Sequence, residues 1–408
     1  MLPVDLPDTV RDALLAPLVD HHCHGVRRDD LARAQFELLI SGGGSPAPPG
    51  TTHFDTPFGA SLRRWCAPLL DLEPHTPPAV YLARRAELGA AEVNRRLLAG
   101  AGVVAFLVDT APSDTASPNT APSNNVPSNN VPSNTAPSDA ADEPALLSAA
   151  EMGRHGGAAA DELVRIEQIE RDVAASAQLA VDYLDDLGEE LTVRAARAVG
   201  LKTVMARLCG LDLEPTRPSR GSVIAAANRR LDEPGEPPTD PILLRHLLWC
   251  AIDVARERGL PLQFHSGFGG AGAGRADPAG LSELIKTLQP IGVPVILLHC
   301  YPYHRQAAHL AGLYPNVYVD VGLAVPHTAG ASAVVVDELL TLAPFHKQLF
   351  SSGCQGVAEA AYLGALSYRR ALGTALAARL GAGEWSATDA ARVAHMIGAG
   401  NARRIYRL

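Results

Sequence analysis

His22 and His24, in "LVDHHCHGV" (residues 18–26), are the residues whose types and spacing first suggest chemistry. Side chains at i and i+2 of a strand leave one face, so both imidazoles would point at a single ion if this apolar run is a strand. Two histidines do not complete a site, because a tightly held divalent cation takes about three to six ligands. Further histidines close similar runs: "PLQFH" ends in His265 and "VPVILLH" in His299. Neutral imidazoles suit zinc, nickel, iron or manganese, and three of them leave positions open for water and substrate. Zinc in such a site can lower the pKa of bound water to about 7 and polarise a carbonyl. His22, His24 and His265 form the expected metal set, with zinc the first choice of divalent ion. His299 is either a further ligand or, as preferred here, a catalytic group that hydrogen-bonds the substrate oxygen. The competing reading of each is a hydrogen-bonded core histidine.

Elements must bring these residues together. Short β-rich runs alternate with longer helical stretches: "PLVDHHCH" (17–24), "GVVAFLVD" (102–109), "LVRIE" (163–167), "LKTVMAR" (201–207), "PLQFH" (261–265), "VPVILLH" (293–299), "VYVDVG" (317–322) and "HKQLFSS" (346–352). Eight strands alternating with helices imply a parallel sheet, and an α/β fold of the (β/α)8 TIM-barrel type is the economical closure. Function then sits at the C-terminal strand ends, where His22, His24, His265 and His299 would share one rim. Counting back by two puts Leu297 and Val295, and likewise Gln263, in the barrel interior. A doubly wound open sheet is the alternative, weakened because no GxGxxG follows the first strand.

One domain spanning 1–408 is expected, with 47% hydrophobic residues to build its core. Inside it, a Pro/Ser/Asn-rich, low-complexity segment over 111–145, "APSDTASPNTAPSNNVPSNNVPSNTAPSD" and its flank, reads as a disordered insertion after strand two. A net charge of −9 without a basic run gives a phosphate backbone little to hold, which argues against nucleic acid. No 18-residue apolar stretch and no basic-then-apolar leader is present, so a soluble cytoplasmic protein without membrane partners is expected. The six scattered cysteines form no CxxC pair and read as reduced thiols.

The segments "VDHHCH", "GLPLQFHSGFG", "VPVILLHCYPYHRQAAHLAGLYPNVYVDVGL" and "HKQLFSSGCQGVAEAAYLGA" resemble the amidohydrolase-2 family of the metal-dependent amidohydrolase superfamily. The branch they resemble most is that of the amidohydrolase domains related to nodulin-like glutamine-synthetase fusions. The resemblance implies a (β/α)8 barrel in which the HxH pair and the strand-five histidine bind a divalent metal, commonly zinc, while His299 assists catalysis. It covers decarboxylases as well as hydrolases, so the reaction stays open.

The chain departs from that pattern at one place. The family typically ends strand eight with an aspartate that binds metal and takes a proton from water, whereas here Ser351 and Ser352 are followed by Gly353. Glu359, Asp320, Asp109 and Glu167 are the nearby acids, and Cys354 is a soft donor. Lys202 and Arg207, in "GLKTVMARLCG", are five apart, so Lys202 is placed in the barrel and Arg207 just past the strand, where a guanidinium can grip a substrate carboxylate. Lys202, Arg207 and Gln263 are the expected substrate contacts. Tyr301, Tyr303 and His304 are weaker pocket candidates. The leading expectation is metal-dependent cleavage of a C–N (amide) bond in a small, carboxylate-bearing molecule, by a homodimer. Non-oxidative decarboxylation, or a degenerate barrel without turnover, are the alternatives.

Overall fold

The computed structural model describes residues 2, 5–111, 146–269 and 273–408. The low-complexity segment expected over 111–145 lies outside them apart from Ala111.

Seven parallel strands form one curled sheet in sequential order: β1 (Leu18–His24), β2 (Val103–Asp109), β3 (Ala159–Arg165), β4 (Gly200–Thr203), β5 (Leu262–His265), β6 (Val295–Leu298) and β7 (Val317–Val319). Besides β7, which stops at Val319 and not at 322, three runs differ from expectation. β3 starts earlier, because "AADELVR" pairs in register with β2 from Ala105↔Ala159 to Asp109↔Leu163 despite its weak β propensity. Glu167 therefore lies in the helix Ile166–Ala174. β4 ends at Thr203, and Arg207 lies in a helical turn, Met205–Leu208.

The eighth run is not a regular strand. Phe345–Lys347 is a 3-10 turn, and residues 348–356 bridge the two edges of the sheet by single backbone bonds. Leu349 N–H donates to Val319 O (3.0 Å), while His21, Gly353 and His24 exchange bonds with Phe350, His22 and Cys354. A ladder cannot continue here, since Ser352 gives its N–H to the Asp20 carboxylate (2.9 Å) and Gly353 has φ +59.

Connecting helices are set by ordinary end signals. Pro241–Arg258 begins with Asp240 accepting from Ile242 N–H and Leu243 N–H, has Pro241 in its first turn, and stops at Gly259 with φ +66. Its Leu243, Leu247, Leu248, Ala251 and Ile252 face the main core between sheet and helices. A smaller cluster fills the sheet's concave interior: Val19, Ala105, Leu107, Leu163, Ile296 and Leu298 pack on Ala399, Ala402, Ile405 and Tyr406. The helix Asn401–Tyr406 thus plugs one end of the sheet's interior.

Alternation along β6 is opposite to expectation. Ile296 and Leu298 face inward and Val295 and Leu297 face the helices. His299 still reaches the mouth because it leaves the strand with φ +58, a left-handed turn that redirects its side chain. Among the described residues no helix is long and apolar enough to cross a membrane.

Candidate active site

The strand ends carry a buried cluster of imidazoles. Ring centroids are 5.1 Å apart for His22 and His24, 5.1 Å for His22 and His299, and 5.7 Å for His265 and His299. Burial is the main reason that all four are held below the usual histidine range, with nearby cations adding to it: Lys202 for His22 and His24, and Arg207 for His265. Neutral rings keep lone pairs available.

Two of those lone pairs meet. His22 Nε2 and His24 Nε2 each stand 3.2 Å from Lys202 Nζ, and Asp109 Oδ2 stands 2.8 Å from the same nitrogen. Asp109 is also gripped by Arg165 at 2.8 Å and 3.1 Å. Burial would push this carboxyl up, but Arg165 and Lys202 overcome it and hold Asp109 far below the ordinary carboxylate range. The lysine moves the other way: burial outweighs Asp109 and lowers it to about 8.

This arrangement bears on the expected metal. Two imidazole nitrogens, with the Asp109 carboxylate beside them, are donors of the kind a divalent cation takes, and His24 Nδ1, the ring's other nitrogen, is buried without a hydrogen bond. His265 is not aimed there, since its Nε2 stands 3.3 Å from Gly269 O. Among the described residues no three His, Cys, Asp or Glu side chains are already arranged around one ion. The donors at His22 and His24 fit a cation, at a point where the ammonium of Lys202 now stands.

Above the cluster lies a cavity of about 190 Å³ lined by Arg207, Gln35, Gln355, Phe58, Phe268 and Leu323 among others. Two glycines separate it from the rings. A Cβ at Gly269 would lie 3.6 Å from His265 Cε1, and one at Gly353 only 2.8 Å from His299 Cε1. Arg207 is at the mouth, as its place just past the strand predicts. Lys202 and Gln263 are both fully buried below. Gln263 spends its amide oxygen on His22 Nδ1 (2.9 Å) and both amide protons on His21 O (3.0 Å) and Tyr406 Oη (2.7 Å), so it has no donor left for a substrate.

The remaining acids have other commitments. Asp320 Oδ2 binds His21 Nε2 at 2.9 Å, and Oδ1 accepts from His299 N–H (3.1 Å) and Gly322 N–H (2.8 Å). Burial pushes Asp320 up, yet bonds from His21 and His299 hold it far below its usual range. Glu359 joins Tyr81 and Arg85, each at 3.0 Å, between the helices Pro78–Gly100 and Ala358–Gly381. Glu167 accepts from Thr203 and Val204, and Cys354 Sγ donates to His24 O at 3.6 Å. His304 pairs with Glu338 at 2.6 Å, and Tyr301 stacks on His304.

Sequence reasoning misses His21 and Tyr406. Strict alternation turns His21 away from His22, but the β1–β2 register slips between Asp20 and Cys23, and both rings reach interior partners. The doubled histidine is the available signal. Tyr406 carries none, being an aromatic near the chain end.

Known proteins share this framework. Protein fluG of Emericella nidulans is 30% identical over 225 residues, which is 52% of this chain and 26% of fluG's own length. A structure named as a metal-dependent hydrolase from Lactobacillus casei superposes with TM-score 0.79 at 21% identity, covering 99% of this chain and 98% of that one. A uronate isomerase from Thermotoga maritima gives 0.65 at 11% identity, covering 98% and 97%. At such identities the structures show a common TIM-barrel-like fold, one that carries more than one reaction. A family model described as Amidohydrolase matches residues 19–408, and the chain belongs to that family.

Proposed function

We propose that this chain is a metal-dependent hydrolase that cleaves a C–N (amide) bond in a small, carboxylate-bearing substrate. The carrying observation is the convergence of His22 Nε2 and His24 Nε2 on one point, 3.2 Å from each, beneath a mouth cavity. Family membership suggests a divalent metal; zinc is the first choice, and His22 and His24 would hold it, with His265 able to join as third ligand only by turning its Nε2 away from Gly269 O. When bound, the ion supplies Lewis acidity toward water and the scissile carbonyl. Asp109 would offset its charge.

The protein's own groups do the rest. His299 Nδ1 is engaged from below, 3.4 Å from Leu323 N and 3.5 Å from Asp320 Oδ1, so Nε2 is the ring nitrogen left to face the substrate and, when it carries the proton, to hydrogen-bond the oxyanion that develops there. Arg207, on the cavity wall, grips the carboxylate. Gly353 and Gly269 leave the cavity floor thin, which lets a reacting carbonyl approach the rings. A γ-glutamyl-type amide, the example suggested by the sequence resemblance to glutamine-synthetase fusions, is the first substrate to try.

Gly353 favours a second reading. Decarboxylation does not require a carboxylate to take a proton from water, and this chain has none at that place. The test is to purify the protein without added metal, measure its metal content, and assay γ-glutamyl and N-acyl amides beside small carboxylic acids. Roughly one ion per chain with release of ammonia or amine is expected. Carbon dioxide without amine would replace hydrolysis by decarboxylation; an empty, inactive protein would mean a degenerate barrel.

A further inference from the structure

Below the imidazole cluster, buried polar groups form one unbroken chain of bonds across the sheet's interior. It runs from His22 Nδ1 to Gln263 Oε1 (2.9 Å), from Gln263 Nε2 to Tyr406 Oη (2.7 Å), from Tyr406 Oη to His21 Nδ1 (3.1 Å), and from His21 Nε2 to Asp320 Oδ2 (2.9 Å). Asp320 Oδ1 then accepts from the backbone N–H of His299. Both ends of the chain are residues placed in the reaction. The middle is not.

With a neutral His21, the direction of every bond follows. His21 O, 3.0 Å from Gln263 Nε2, can only accept, so the amide nitrogen must face it and the amide oxygen is left for His22. An oxygen there obliges His22 to carry its proton on Nδ1, which leaves the Nε2 lone pair aimed at the shared cation point. The second amide proton goes to Tyr406 Oη. Tyr406, already accepting, gives its own proton to His21 Nδ1. His21 then carries its proton on Nε2 and donates to Asp320. At the far end, Asp320 Oδ1 ties His299 N–H to Gly322 N–H and so holds the left-handed turn at His299, φ +58.

We infer that Tyr406 and His21 are positioning residues for the active site, forming a relay that fixes the metal-facing tautomer of His22 at one end and the backbone turn of His299 at the other. The inference rests on the reading of His22 as a cation ligand. It gives the C-terminal helix Asn401–Tyr406 a second role beyond plugging the sheet. A phenylalanine at 406 would fill the same space and break the relay at its centre. Gln263 N–H and His21 Nδ1 would both lose a partner, and His21 would no longer be held to one tautomer.

The test uses histidine-labelled full-length protein, wild type and Tyr406→Phe, with the two signals assigned through single histidine substitutions. Nitrogen NMR of the metal-free wild type should show His22 protonated on Nδ1 and His21 on Nε2, each as a single species. In Tyr406→Phe, the His21 nitrogens should shift or average between tautomers while circular dichroism stays unchanged. Zinc affinity by chelator competition should fall by about tenfold, the low end for groups lying outside the ligand set. His22 protonated on Nε2 in the wild type would overturn the relay, as would His21 signals and zinc affinity that ignore Tyr406→Phe. A wild type that takes up no zinc sinks the hydrolase reading instead, and the spectrum alone then decides the relay.

Discussion

Asp109 and Glu359 are both fully buried carboxylates paired with a buried arginine, Arg165 at 2.8 Å and Arg85 at 3.0 Å, yet they belong to different kinds of region. Glu359 adds a tyrosine hydroxyl, and the trio clamps two helices together. Glu170 repeats that design with Arg230 and Tyr183. Asp109 adds Lys202 instead and stands under two imidazoles whose free nitrogens meet. Burial of a charge pair is thus common to structural clamps and to the site. What separates them is convergence of further donors on one point beneath the mouth cavity.

The comparison breaks most visibly at the imidazoles. His24→Ala should reduce zinc affinity by more than about 100-fold, above the range seen for outer groups, and abolish turnover. Metal content and amide hydrolysis measure both. Retention of stoichiometric zinc by His24→Ala would remove the distinction between the two regions.

Next come the carboxylates themselves. Asp109→Asn and Glu359→Gln each strand a buried arginine, so each should lower unfolding stability in urea by about 3–5 kcal/mol. Only Asp109→Asn should also disturb zinc uptake, because Glu359 has no imidazole near it. Equal loss of zinc in both variants would mean that metal binding reports general stability.

The sheet is readable from the sequence because parallel strands carry apolar runs bounded by breakers, and the histidines ending three of those runs stand out against polar-poor neighbours. Local distortions are not readable. The slip in β1 that brings His22 inward beside His21, the left-handed turn at His299 and the irregular edge at 348–356 go with tertiary bonds to Gln263, Asp320 and Asp20. No periodicity encodes those partners. For the same reason Gln263 lies on the face that alternation gives it, but its hydrogen bonds go to His22, His21 and Tyr406 and not toward the cavity. Alternation fixes a side, whereas the partners met there decide whether any hydrogen bond is left over for a substrate.

Glu167 supplies a third kind of buried carboxyl, one without a cation bonded to it. Its Oε2 has no hydrogen bond, and burial raises it to about 7 despite bonds from Thr203 and Val204. A raised carboxyl binds its proton more tightly folded than unfolded. Its contribution is therefore complete below the unfolded pKa near 4.5 and is lost as pH climbs through about 7. Glu167→Gln should be near neutral at pH 4 and more stable than wild type at pH 8 by up to about 3 kcal/mol, read by urea denaturation at the two pH values. Stability differing equally at both would show that Glu167 stays ionised, like Asp109.

The smallest effect expected is at the missing carboxylate. Gly353 has φ +59, and a Cβ there would meet His299 Cε1 and Leu323 Cβ, both at 2.8 Å. Aspartate tolerates a left-handed backbone better than most residues, but it cannot occupy space that the His299 ring already fills. Gly353→Asp should therefore cost about 1–3 kcal/mol and leave amide hydrolysis no faster. The chain has used the place of that carboxylate to seat His299, whose own anchor is Asp320 on the neighbouring strand end. A stable Gly353→Asp variant with increased hydrolysis would show instead that the ring yields readily and that the acid is the one part the site lacks.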